Sequence, residues 1–126
     1  MNRKILIIED EADIANVFKK QLDLKGGYDV DLAPGGGEGL EMMAQNKYDL
    51  VLMDLVMPKV DGIEVLKKVN AESEKYNKSP IIALTNITGE DTKKEVENLG
   101  VIKFVVKTDV DIDVLVDEFF GGEVKQ

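Results

Sequence analysis

Five residues able to do chemistry together stand at the ends of short apolar runs. Glu9 and Asp10 follow KILII (4–8), Asp54 follows YDLVLM (48–53), Thr85 closes PIIALT (80–85) and Lys107 closes KFVVK (103–107). Asp54 poses the sharpest question, because the apolar run resumes beyond it at Leu55 and Val56, and a carboxylate buried without a partner is costly. Three carboxylates brought together repel one another, so a proton or a cation must lie among them. With oxygen donors alone the cation would be hard, Mg2+ or Ca2+. Mg2+ is the better match, since it binds through one or two carboxylates, keeps waters and often holds a phosphoryl group. Lys107 adds a fixed positive charge and Thr85 a hydroxyl. A carboxylate set between a divalent ion, an ammonium and a hydroxyl is arranged to attack phosphorus. Aspartyl phosphates are an established covalent intermediate, and metal plus lysine would neutralise the charge that develops on the transferred group.

Taken singly, each residue has an ordinary explanation. Asp54 leads into DLVMP and suits a turn. Glu9 and Asp10 suit the start of a helix, where the dipole favours acids. Thr85 suits a strand terminus, and Lys107 a solvated strand end. The inference rests on coincidence: four of five strand ends carry complementary parts of one site.

That argument depends on the elements. Between the strand-like runs, which include YDVDLA (28–33), lie segments of helical spacing. Ile14, Val17, Phe18 and Leu22 share one helical face; Leu40, Met43 and Ala44 form a second stripe; Ile63, Leu66 and Val69 a third, with Val65 beside it. Ile112, Leu115 and Phe119 form the last. The fourth helix carries only Val96 and Leu99 as large apolar residues, and its Glu90, Asp91, Glu95 and Glu97 set against Lys93 and Lys94 read as a solvated face. Gly26–Gly27, Gly100 and Gly121–Gly122 stand where helix C-caps want them. Five βα units in series predict an α/β fold, a doubly wound (βα)5 parallel sheet of five strands with helices on both faces. The third and fourth strands, apolar throughout, belong at its centre; YDVDLA, alternating acid and apolar, belongs at an edge. Such sheets place ligands at the C-terminal ends of their strands, where strand order reverses.

Composition narrows the function. The chain of 126 residues suits one domain, 1–126, with its core at 3–120 and no output domain. A net charge of −9 argues against direct nucleic-acid binding and is compatible with cation binding. The absence of Cys and His removes thiolate chemistry, zinc-thiolate sites and the commonest general base. No apolar run reaches the length of a membrane span and the N-terminus does not read as a signal peptide, so the expected location is cytoplasmic, with no membrane partner.

The motifs ILIIEDE, DLVLMDLVMPKVDG, PIIALT and FVVK, in that order and spacing, together with APGGGEGL (33–40), resemble the response-regulator receiver domain of two-component signalling, of the stand-alone type. The resemblance covers residues 3 to 120 and implies the flavodoxin-like strand order 2-1-3-4-5. It implies that Asp54 is the phospho-acceptor, forming an aspartyl phosphate. Asp10 would bind Mg2+ directly, Glu9 through water, and the backbone carbonyl of Val56 would complete the protein ligands with Asp54. Lys107 would pair with Asp54 and then with the phosphoryl oxygens. Thr85 would move onto the phosphoryl group while Phe104, the aromatic switch, rotates inward and shifts the surface of the fourth helix, fifth strand and fifth helix. The implied partners are a histidine kinase or histidine phosphotransfer protein and a downstream effector. The implied chemistry is the domain's own phosphorylation and dephosphorylation, not turnover of a separate substrate.

Four departures bear on this. Glu9 stands where the family more often has Asp. Asn86 follows Thr85 where the family favours a very small residue, which predicts slow phosphorylation by small donors. Thr108 follows Lys107 where the family usually has a cis proline; a non-proline cis bond costs about 2.5–4 kcal/mol, so a trans bond is expected, with Lys107 somewhat displaced. Val56 and Ile87 flank the site without an amide or acid to orient water, which predicts a long-lived phosphoryl group. Rival readings are a haloacid-dehalogenase-type phosphatase, which wants an acid where Val56 stands; a flavodoxin, whose phosphate loop would be repelled by Glu9–Asp10–Glu11; and a receiver-like scaffold that works without phosphorylation. The Gly35–Gly36–Gly37 run reads as a flexible turn.

Overall fold

Alternating strand and helix segments build a three-layer α/β domain, seen in a computed structural model that describes residues 2–86 and 89–121. Chain order is β1 (Arg3–Ile8), α1 (Ala12–Lys25), β2 (Tyr28–Ala33), α2 (Gly36–Gln45), β3 (Leu50–Asp54), α3 (Gly62–Ala71), β4 (Ile81–Thr85), α4 (Glu90–Asn98), β5 (Lys103–Val106) and α5 (Ile112–Phe119). All strand pairs are parallel, in the order β2-β1-β3-β4-β5. This is the flavodoxin-like arrangement, and β2 does lie at an edge. Strand order reverses between β1 and β3, which places the expected crevice over their C-terminal ends.

The period-2 alternation of the inner strands divides the core. Ile5, Ile7, Leu50, Leu52, Ile82 and Leu84 face α1 and α5. Leu6, Ile8, Val51, Met53 and Ala83 face α2 and α3, with Val96 of α4 joining them. Every residue of β3 and β4 is buried, as doubly covered strands require. At the edge opposite the crevice, Tyr28 donates its phenol to Asp117 Oδ1 at 2.5 Å and Arg3 lies 4.3 Å from the centre of the Phe120 ring. These contacts tie the end of α5 to the starts of β1 and β2.

Several expectations are corrected. Val17 is 54% exposed; Ala15, Phe18 and Leu22 form the buried stripe of α1 instead. The third strand begins at Leu50, not Tyr48, and includes Asp54. Tyr48 is nonetheless fully buried, its phenol donating to Asp31 Oδ2 at 2.7 Å. The Gly35–Gly37 run is no flexible turn: Gly36 and Gly37 open α2, and a Cβ on Gly36 would lie 2.2 Å from the Val60 carbonyl oxygen. Ile87 and the end of GGEVKQ lie outside the described residues.

Candidate functional site

The ends of β1, β3, β4 and β5 bring the five residues together. Glu9 and Asp10 follow β1 directly, Asp54 is the last residue of β3 and Thr85 the last of β4. Lys107 is not a strand residue, contrary to the sequence reading: it opens a 3-10 turn, Lys107–Asp109, just beyond β5. The Lys107–Thr108 bond is trans, as its energetic cost predicted; there is no cis peptide among the described residues. Far from being a solvated strand end, Lys107 is buried and its Nζ lies 2.9 Å from Asp54 Oδ2.

Asp54 is 7% exposed. Its other oxygen, Oδ1, accepts the Val56 backbone N–H at 3.2 Å. The Asp54 side chain thus caps the turn that follows β3 and at the same time pairs with Lys107. Glu9, 3% exposed, also pairs with Lys107 through Oε1, and its Oε2 accepts the Glu11 N–H at 3.1 Å. Carboxylate oxygens of Glu9, Asp10 and Asp54 all lie within 4.8 Å of one another. That all-oxygen set has the chemistry of a Mg2+ site.

Electrostatics follow from burial. Desolvation pushes the Glu9 carboxyl above its ordinary value, only partly offset by bonds from Lys107 and the Glu11 amide, and the nearby Asp54 charge pushes it further. Burial works against the charge on Lys107 as well, yet the bonds to Glu9 and Asp54 hold its pKa above that of a free lysine. One ammonium thus serves two buried carboxylates.

An open cleft of about 620 Å³ gives access to this cluster. Asp10, Asp54, Thr85, Asn86 and Lys107 line it, with Val56 and Met57 as an apolar wall. Val56 is 53% exposed. Thr85 is fully buried at the cleft floor. Phe104 is half-buried, packed against the α2–α3 side of the core and in register with Ala83 of β4.

Two residues escaped the sequence reading. Glu11 supplies the amide that holds Glu9 and lines the cleft; the third acid of EDE was its only signal. Gly62, the first residue of α3, lies where a Cβ would come within 2.7 Å of the Asp54 carbonyl oxygen. It is positioned there by a capping box in which Asp61 Oδ1 accepts the Glu64 N–H at 3.0 Å. Its signal was the DG at the end of the β3 motif.

The fold and site define a class: an open parallel α/β sheet whose switch point holds a lysine-paired aspartate beside two further acids. Comparison with known proteins makes the class specific. The family profile of the response regulator receiver domain matches residues 5–119. The chain is 36% identical over 107 residues to the alkaline phosphatase synthesis transcriptional regulatory protein PhoP of Bacillus subtilis, covering 85% of this chain and 43% of that one. The chain thus spans less than half of that relative. Among solved structures, a Francisella response regulator receiver domain matches with a TM-score of 0.82 at 29% identity, covering 93% of each chain. The chemotaxis protein CheY4 of Vibrio cholerae matches with a TM-score of 0.82 at 28% identity, covering 95% of this chain and 98% of that one. The chain belongs to the receiver-domain family and is the receiver domain of a two-component response regulator. No helix among the described residues is long and apolar enough to cross a membrane.

Proposed function

We propose that this receiver, acting as one unit over residues 3–120, takes a phosphoryl group on Asp54 from the phosphohistidine of a histidine kinase or histidine phosphotransfer protein. The observation that carries the proposal is the buried Asp54–Lys107 pair at 2.9 Å, with Asp10 and Glu9 gathered beside it at the switch point. A carboxylate oxygen of Asp54 attacks phosphorus; the P–N bond breaks, the histidine nitrogen keeps the electron pair, and an acyl phosphate remains on Asp54. Lys107, already against Oδ2, is placed to follow the phosphoryl oxygens. Asp10, Asp54 and the Val56 carbonyl are the groups that would hold Mg2+. Bound there, the ion would neutralise charge on the phosphoryl oxygens. The Thr85 hydroxyl then turns to the phosphoryl group, half-buried Phe104 moves inward, and the faces of α4, β5 and α5 change for a downstream effector protein.

Intact mass after incubation with acetyl phosphate tests this. One phosphoryl group should add to the wild type with Mg2+, and none should add without Mg2+ or to Asp54→Ala. Labelling that survives in Asp54→Ala overturns the assignment. A wild type that accepts nothing, either from acetyl phosphate or from a panel of phosphorylated histidine kinases, would favour the scaffold reading.

Asn86 is exposed at the cleft and lines it. In the same assay Asn86→Ala should label severalfold faster with acetyl phosphate; an unchanged rate would clear Asn86 of restricting small donors. Val56 presents an apolar side chain to the cleft, so that position supplies no amide or acid to orient an attacking water. The phosphorylated form should therefore persist for minutes or longer, and decay within seconds would contradict that account.

A further inference from the structure

A groove of about 340 Å³ separates the start of α3 from α4, beside the segment that follows β3. Its lining is of two kinds. Leu55, Val56, Met57 and Ile63 are apolar, whereas Asp61 and Glu95 are acids, with Thr92 one helical turn before Glu95 on α4. No lysine or arginine lines it among the described residues. Asp61 engages Oδ1 in the capping box of α3, and the Glu95 carboxylate has no hydrogen-bond or ion-pair partner among the described residues. The groove adjoins the Asp54 cleft, since Val56 and Met57 line both. We propose that this groove seats a basic side chain, arginine or lysine, of the protein that delivers the phosphoryl group, and that it selects donors carrying such a residue near their phosphohistidine.

The inference rests on the reading of Asp54 as phospho-acceptor and names a feature that recognises the donor. Both parts of the groove suit such a side chain. The apolar lining covers a methylene stem, and the acids meet the charged head. Arginine fits better than lysine, because its planar fork of five donors can serve two carboxylates at once. A neutral apolar side chain would desolvate those acids without a partner, and an acidic one would be repelled. The volume lies at the low end of ligand pockets, about 300–1,000 Å³, which suits a single long side chain and not a whole helix. The surrounding charge has the same sign: Glu90, Asp91 and Glu97 of α4 are exposed, Lys93 and Lys94 do not line the groove, and the chain carries −9 overall. A basic segment is therefore attracted before contact. Position favours the donor over other partners. Val56, 53% exposed, stands where cleft and groove meet, so a protein that presents a histidine to Asp54 covers both. Acetyl phosphate needs only the cleft.

Two measurements test this. In the first, the capped peptide Leu-Arg-Leu is titrated into the full chain and backbone amide shifts are followed by NMR. Shifts should gather at Ile63, Thr92 and Glu95. The same peptide with neutral citrulline in place of arginine should bind about tenfold more weakly, the loss of charge-assisted hydrogen bonds, and so should the arginine peptide on Glu95→Gln. Retention of the wild-type amide spectrum shows that the variant is folded. Equal binding of the two peptides, or no shifts in the groove, overturns the proposal. The second measurement is the rate of labelling by the phosphorylated histidine kinase of the panel that serves the wild type best, divided by the rate with acetyl phosphate. That ratio should fall about tenfold in Glu95→Gln and further in Glu95→Lys, with a weaker dependence on salt. A ratio that stays at the wild-type value would leave the groove to a downstream effector and overturn its assignment to the donor. Failure of the phospho-acceptor reading is separately visible, as absence of a mass shift in wild type with either kind of donor, and the peptide titration still decides whether the groove takes a basic side chain.

Discussion

Lys107→Met should destabilise the metal-free protein by about 3–5 kcal/mol at neutral pH, the usual penalty for removing one partner of a buried ion pair. Methionine fills the space of the lysine stem, so the loss is electrostatic. Glu9 and Asp54 would remain, each less than a tenth exposed, with Asp10 close by and no cation to offset them. The penalty should shrink in acid, and the sign follows from Glu9. Its carboxyl pKa is raised in the fold above the ordinary 4.5, so the folded state binds a proton more readily than the unfolded chain. Ionised Glu9 therefore costs stability as pH rises from about 4.5 through the raised value, and that stability returns on acidification. Without Lys107 the pKa rises further and the window widens. Urea denaturation with a chelator, at neutral pH and near the lower edge of the window, checks both halves. The Glu9→Gln/Lys107→Met double variant should recover part of the loss, because the two sites are in contact and not additive. A Lys107→Met protein as stable as wild type at neutral pH would show that the cluster is better solvated than its burial implies.

Gly62→Ala should destabilise by about 1–3 kcal/mol even though alanine is the better helix former. A Cβ on Gly62 would lie 2.6 Å from Leu55 Cα and 2.7 Å from the Asp54 carbonyl oxygen. These are backbone atoms of the β3 end, and Gly62 N also donates to the Leu55 carbonyl at 2.9 Å. Relief therefore requires moving the segment that carries Asp54, so the phosphorylation proposed for Asp54 should slow as well. Gly37→Ala makes the same chemical change within α2, where a Cβ meets nothing within 4 Å. That variant should be stabilised by up to about 1 kcal/mol. Opposite shifts of the two urea midpoints are expected. Equal shifts would remove close approach as the reason for glycine at position 62.

Much of the molecule was legible because its signals are local. A strand or helix shows its own period within a few residues, and so KILII, YDLVLM, PIIALT and KFVVK lie within two residues of the observed strand bounds. The placement of Glu9, Asp10, Asp54 and Thr85 at one edge follows from parallel strands alone, since every strand then ends on the same side. Apolar pattern was less reliable at the surface. Val17 fits the buried period of α1, yet it is exposed while smaller Ala15 is packed; which side of an overlapping stripe faces the sheet depends on how the helix sits across it.

The sequence by itself determined the parallel α/β class, the single sheet edge where the polar residues gather and the set of oxygen and ammonium groups found there, because each is a consequence of residue type and chain order. Tertiary structure decided who is bonded to whom. That Lys107 leaves the strand and is shared between Glu9 and Asp54, that Tyr48 reaches Asp31 and that Gly62 must be bare against Asp54 all depend on side chains meeting across elements distant in the chain. Contacts of that kind are set by close packing to fractions of an ångström, and no local periodicity encodes them.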